Sequence, residues 1–150
     1  MSTLVVYFSQ TGKTKELAEQ IAQISGGDLA EIKTEKSYEM SYRQTVFTSM
    51  KEILTKARPA LAMDVPDCQE YDRILIGCPI WCGTVPNAVR TFLDQAELKN
   101  KQTAFFTTSG ATEPKKLAVK MKKYYPDARW RKPLNGNNAT EEDIKSWLGV

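Results

Sequence analysis

Three hydroxyl side chains crowd one short stretch near the start of the chain, Ser9-Gln10-Thr11-Gly12-Lys13-Thr14. An apolar run, Leu4-Val5-Val6-Tyr7-Phe8, leads in, and a helical pattern of Leu17, Ala18, Ile21 and Ala22 leads out. A buried strand that turns through hydroxyls and a glycine into a helix makes an anion site. The helix start leaves backbone N–H groups without partners, and its dipole favours negative charge. Ser9, Thr11 and Thr14 add O–H donors, and Gly12 permits close backbone approach. A triphosphate-binding Walker loop would need a glycine five residues before Gly12, where Tyr7 stands. The ending Gly12-Lys13-Thr14 is thus a partial match. A monophosphate-type site remains, beside the plainer reading of a hydroxyl-rich turn that only caps a helix.

Two further stretches have unusual chemistry. Cys78-Pro79-Ile80-Trp81-Cys82-Gly83-Thr84 sets a tryptophan in a loop between a proline and a glycine, a place suited to a flat aromatic wall. Thr108-Ser109-Gly110-Ala111-Thr112-Glu113 is again rich in hydroxyls. Cys78 and Cys82 suggest a redox pair or a metal site. With three cysteines and no histidine in the chain, Cys78 reads better as a small buried residue and Cys82 as a loop residue. The absence of histidine also excludes a Ser-His-Asp or Cys-His nucleophile and any His-ligated metal.

The elements that must position these loops alternate between strand-like and helical patterns, which argues α/β with a parallel sheet. Strands are expected over 3–8, 29–33, 73–77, 102–107 and 128–131. The first and third are near-continuously apolar, as central parallel strands should be. The second and fifth alternate, as edges do. Helices are expected over 13–24, ended by Gly26-Gly27, and over 43–56, stopped by Arg58-Pro59. Others begin near Pro86, at Pro114, and after Thr140, where Asp143 completes a cap. Residues 133–139 read as a loop. Right-handed crossovers with two edge strands favour a five-stranded sheet of order 2-1-3-4-5, whose ligand crevice lies beyond the carboxyl ends of the central strands. All three unusual loops fall there.

The 150 residues read as one domain over 1–150, with 41% hydrophobic and 26% charged residues, ordinary for a globular chain. No apolar run approaches membrane-spanning length, no leader is evident, and the odd cysteine count fits a reducing compartment; the expectation is cytoplasmic, with no membrane partner. A formal charge of +3 is too small to argue for nucleic acid.

Ser9-x-Thr11-Gly12-x-Thr14 after an apolar strand resembles the phosphate loop of the flavodoxins. Pro79-Ile80-Trp81-x-Gly83-Thr84 resembles the second flavin loop of that family, and Thr108-Ser109-Gly110 the third. The likeness covers essentially the whole chain, at a length similar to short-chain members with no insertion splitting strand five. It implies a flavodoxin-like three-layer α/β/α sandwich with FMN as cofactor and no metal. The implied cofactor contacts are Ser9, Gln10, Thr11, Gly12, Lys13 and Thr14, then Pro79, Ile80, Trp81, Cys82 and Gly83, then Thr108, Ser109 and Gly110. No side chain is required as general acid or base, because the flavin carries the chemistry.

Two features depart from the family. Electron-carrier flavodoxins are typically strongly acidic; this chain is mildly basic, with Lys115, Lys116, Lys120, Lys122 and Lys123 on one helix and Arg129 and Arg131 close behind. Such a cluster is a solvated face, or it meets an acidic protein or a phosphate-bearing substrate. Many members also stack a tyrosine from the third loop on the flavin, and residues 107–114 contain no aromatic. Tyr38, Tyr42 or a partner subunit would then cover the ring, or it stays open. The implied function is an electron-transfer flavodoxin. An FMN-dependent NAD(P)H:quinone-type oxidoreductase is the alternative, and a non-catalytic binding module on the same fold is a remote third. Partners are accordingly a redox protein or a NAD(P)H/quinone-type small molecule, with the chain a monomer or homodimer.

Overall fold

A computed structural model describes residues 1–9, 12–34, 61–80, 84–108 and 114–150. The helix expected over 43–56, with Tyr38 and Tyr42 before it, lies outside these. The strands are β1 (Thr3–Tyr7), β2 (Asp28–Glu31), β3 (Arg73–Pro79), β4 (Gln102–Thr108), β5 (Arg129–Trp130) and β6 (Leu134–Asn135). The α-helices among the described residues are α1 (Lys13–Ser25), α2 (Asn87–Gln95), α3 (Pro114–Tyr124) and α4 (Glu141–Leu148). All strand pairs are parallel, in the order β2-β1-β3-β4-β5, with β6 also on β4.

The central strands are buried on both faces, which is why their sequences lack alternation. Leu4, Val6, Ile74, Ile76 and Phe105 face one side, where Val89 and Phe92 of α2 and Leu117 and Met121 of α3 pack. Val5, Tyr7, Leu75 and Phe106 face the other, under Leu17, Ala18 and Ile21 of α1 and Ile144 and Leu148 of α4. Among the described residues two helices on each face make the three-layer sandwich. At the β2 edge Leu29 stays 42% exposed.

Most boundaries fall within two residues of expectation, and two readings are corrected. Pro86 is the cap of α2 and not its first helical residue, with φ −57° and ψ 146°. The fifth strand position is split. β5 pairs with Gln102 and Thr103 at the start of β4, and β6, inside the stretch expected to be a loop, pairs with Phe106 and Thr107 at its end. Pro133 has no N–H to continue the ladder, so the chain leaves the sheet after the Arg131 N–H bonds the Thr103 carbonyl at 2.8 Å. It returns where the Gly136 N–H meets the Thr107 carbonyl at 2.6 Å. The Lys132 carbonyl, released from the ladder, accepts from the Trp147 indole N–H at 2.6 Å. This anchors Trp147 edge-on to Phe106, centroids 6.3 Å apart, leaving it partly and not fully buried.

Candidate cofactor site

In a parallel sheet every following helix starts at the carboxyl edge, so β1, β3 and β4 deliver three loops to one place. Backbone and side-chain bonds then tie those loops together. The Phe8 N–H donates to the Gly77 carbonyl at 2.9 Å, joining the first loop to β3. The Ile80 N–H reaches the Thr108 carbonyl at 3.4 Å, joining the second to the third. Thr14 Oγ1 and Thr108 Oγ1 lie 2.7 Å apart, across 94 positions of sequence, joining the third to the first.

The first loop ends in Gly12, the N-cap of α1, at φ 90° and ψ −12°. That left-handed conformation strains any residue with a Cβ, by roughly 1–2 kcal/mol. Gly12 offers no side chain to satisfy the open N–H groups of the first turn, and no side-chain cap bond forms there. Its own N–H donates to Ser9 Oγ at 3.0 Å, which leaves the Ser9 proton available for another acceptor. Thr14 and Thr108 are buried, at 2% and 7% exposure. Whichever hydroxyl donates, the other keeps its proton to give outward. Lys13 is exposed beside them. The described set is therefore rich in donors and contains no carboxylate, which fits a phosphate.

Pro79 and Ile80 carry β3 into the second loop, with Ile80 buried against the α2–α3 side of the core. Beneath this end of the sheet Gly77 pairs with Phe106 across the ladder. A Cβ on Gly77 would stand 2.1 Å from the Phe106 ring, so the close approach requires glycine. Gln10, Thr11, Trp81, Cys82, Gly83, Ser109 and Gly110 lie outside the described residues; Ser9, Gly12, Lys13, Thr14, Pro79, Ile80 and Thr108 are brought to one edge.

Arg90 is a further residue at this edge, which sequence reading passed over because it looks like an ordinary helix-surface arginine. Its Nη2 donates to Thr84 Oγ1 at 2.8 Å, holding the exit of the second loop, and its guanidinium lies 5.5 Å from the Tyr124 ring centroid. Its Nε is buried with no partner among the described residues.

Thiol chemistry has no support among the described residues. Cys78 is free and fully buried, and burial pushes its thiol far above the ordinary range. Burial and the neighbouring Asp67 push Cys68 up to about 11. Neither is a thiolate near neutral pH. No group of His, Cys, Asp or Glu among the described residues could hold a metal. No described helix is long and apolar enough to cross a membrane. A groove of about 640 Å³ opens between α4 and the split edge, lined by Arg73, Arg131, Asn135 and Trp147, and it includes none of the described loop residues.

An α/β/α sandwich with three hydroxyl-bearing loops at its switch point defines the class of doubly wound cofactor-binding proteins. The family model described as Flavodoxin matches residues 2–150, and the chain belongs to that family. Among solved structures it resembles a protein of Bacteroides uniformis assigned as a flavoprotein, with 32% identity, 99% of this chain and 98% of that one covered, and a TM-score of 0.89. A Bacteroides eggerthii protein assigned likewise shares 33% identity over 99% and 96% of the two chains, with a TM-score of 0.86. A Lactobacillus acidophilus flavoprotein solved in complex with FMN shares 28% identity over 98% of each chain, with a TM-score of 0.79. No curated protein matches the chain.

Proposed function

We propose that this chain binds FMN at the carboxyl edge of the sheet and serves as an electron-transfer flavoprotein. The observation that carries the reading is the buried Thr14–Thr108 hydroxyl pair beside the side-chain-free cap Gly12. Together they offer outward protons and helix N–H groups, with no carboxylate among the described residues of the loops. Ser9, Gln10, Thr11, Gly12, Lys13 and Thr14 would hold the phosphate. Pro79, Ile80, Trp81, Cys82 and Gly83 would line the ring, with Thr108, Ser109 and Gly110 closing the third side. FMN, when bound, supplies the redox chemistry at its ring. The protein's part is to anchor the phosphate, exclude water from the ring and hold hydrogen-bond donors in place. The FMN-bound relative and the family membership support the cofactor. The buried, free thiols of Cys68 and Cys78 suit a reducing, cytoplasmic setting.

A second reading rests on one sequence feature. The third loop has no aromatic from Thr107 to Pro114. A ring face left open there would admit a nicotinamide to stack, as a NAD(P)H:quinone-type reductase requires.

The test begins with apo-protein. It should turn yellow with added FMN and quench its fluorescence, and Gly12→Val should weaken that binding by roughly tenfold or more, from the strain at φ 90°. A colourless protein that takes up no FMN would falsify the cofactor reading. Anaerobic reduction in two resolved one-electron steps supports the carrier. Rapid NAD(P)H oxidation with a quinone acceptor decides for the reductase.

A further inference from the structure

α3 places Lys115, Lys116, Lys120, Lys122 and Lys123 within its eleven residues, and the chain from Pro114 to Pro126 contains no Asp or Glu. All five lysines are exposed. At about 100° per residue they occupy one arc of about 160°, opposite the buried Leu117 and Met121. Val119 sits in the middle of that arc and is 67% exposed. Lys122 and Lys123 in the last turn suit the dipole, but the lysines at the start of the helix work against it. Lys115 and Lys116 stand in the first turn, where the dipole is positive. Lys116 and Lys120, and Lys120 and Lys123, are like-charged neighbours at helical spacing. None of the five makes an ion pair among the described residues. Solubility alone calls for mixed charges and does not call for lysines at a helix start.

We propose that this face of α3 is a docking surface for an acidic protein partner. The proposal rests on the flavoprotein reading only for what the partner is for. β4 ends at Thr108, which touches Thr14, and α3 begins six positions later at Pro114, so the cationic arc begins at the same sheet edge as the cofactor site. The lysines extend along a helix of about 16 Å. That length matches a carboxylate-bearing protein surface; a nucleotide phosphate needs two or three cations converging on a point. An apolar residue ringed by charges is the usual plan of a protein interface, a dry centre inside a polar rim. Tyr124, 57% exposed and held by Arg90, extends the apolar part at the far end of the helix.

The protein is titrated with a plant-type [2Fe–2S] ferredoxin as the acidic probe, with cytochrome c as the basic one, and with NADPH and a single-stranded DNA oligonucleotide. Complex formation is followed by calorimetry at rising ionic strength. The expected result is preference for the ferredoxin, an affinity that falls as salt rises, and a loss of roughly tenfold or more in K116E/K120E/K123E. The variant's circular dichroism and melting should match the wild type or improve on it. Equal ferredoxin binding by wild type and variant, preference for cytochrome c, tighter binding of the oligonucleotide, or a charge-reversal effect confined to NADPH would each overturn the proposal. The calorimetry does not need the flavin. A chain that takes up no FMN would sink the cofactor reading and leave the docking result standing.

Discussion

α3 and α4 begin at the same edge of the sheet and pack on opposite faces, yet their first turns carry opposite charges. α4 opens with Glu141, Glu142 and Asp143, behind a complete capping box. The Thr140 side chain accepts from the Asp143 N–H at 3.1 Å, and the Asp143 carboxylate accepts from the Thr140 N–H at 2.9 Å. Lys145 pairs with Glu141 one turn along at 3.2 Å. Every charge there serves the helix. α3 has lysines where α4 has acids, and none of them pairs among the described residues. α1 makes a third case, with its first turn left open behind a glycine cap. The helix whose start is closed by its own residues follows none of the three loops. α1 and α3, whose starts are open or wrongly charged, follow the first and third loops directly, and α2, with no side-chain cap at Pro86, follows the second.

If that contrast reflects function, substitutions at the three helix starts should separate. The largest effect is expected at α1. Thr14→Val keeps the shape and removes the hydroxyl, leaving Thr108 without its partner at 2.7 Å. Losing one partner of a buried pair costs roughly 1–3 kcal/mol, and FMN affinity should fall by about ten- to a hundredfold. A variant that melts earlier yet binds FMN unchanged would reduce the pair to a structural link. Next comes α4, where Thr140→Ala removes the cap. Stability should drop by about 0.5–2 kcal/mol in urea unfolding, with FMN affinity untouched. A change in FMN binding there would erase the distinction between a self-closed start and a site-facing one.

The sequence carried this distinction unevenly. The α4 box was legible because Thr140 and Asp143 are three residues apart and interact locally. The central strands β1 and β3 were legible because burial on both faces leaves a near-continuous apolar run. The split of the fifth strand was not, since it depends on where Pro133 meets the ladder and on Trp147 reaching across fifteen positions to the Lys132 carbonyl. The Thr14–Thr108 bond was invisible for the same reason. Each threonine was a candidate on its own, and only the fold brings them together. Arg90 gave no signal, because its meaning lies in Thr84 and Tyr124, contacts made through folding.

A smaller and opposite effect is expected at α3. Lys116→Glu puts a carboxylate in the first turn, favourable to the dipole, and aligns it with Lys120 one turn later. The two terms together should stabilise the protein by about 0.3–1 kcal/mol. An unliganded fold that gains stability when a native lysine is reversed is carrying that lysine for another purpose. Loss of stability would mean that Lys116 already has a partner in the fold, and the contrast with α4 would collapse.

The smallest effect is a pH dependence that only α4 should show. The Thr140 backbone N–H, and then its side chain, hold the Asp143 carboxyl below its ordinary value. A depressed carboxyl contributes stability above its unfolded pKa, and that contribution is lost as pH falls through the folded value. Asp72 is lowered in the same direction by the Ser2 N–H, so wild-type stability should decline in acid from both groups. In Asp143→Asn the decline should be shallower, with the Asp72 part remaining. No carboxylate lies in the first turn of α3, so Lys116→Ala should leave the acid limb of the profile unchanged. If that variant flattened the acid limb instead, a carboxylate from elsewhere in the chain would be paired with the α3 lysines, and the charge of α3 would belong to the fold as that of α4 does.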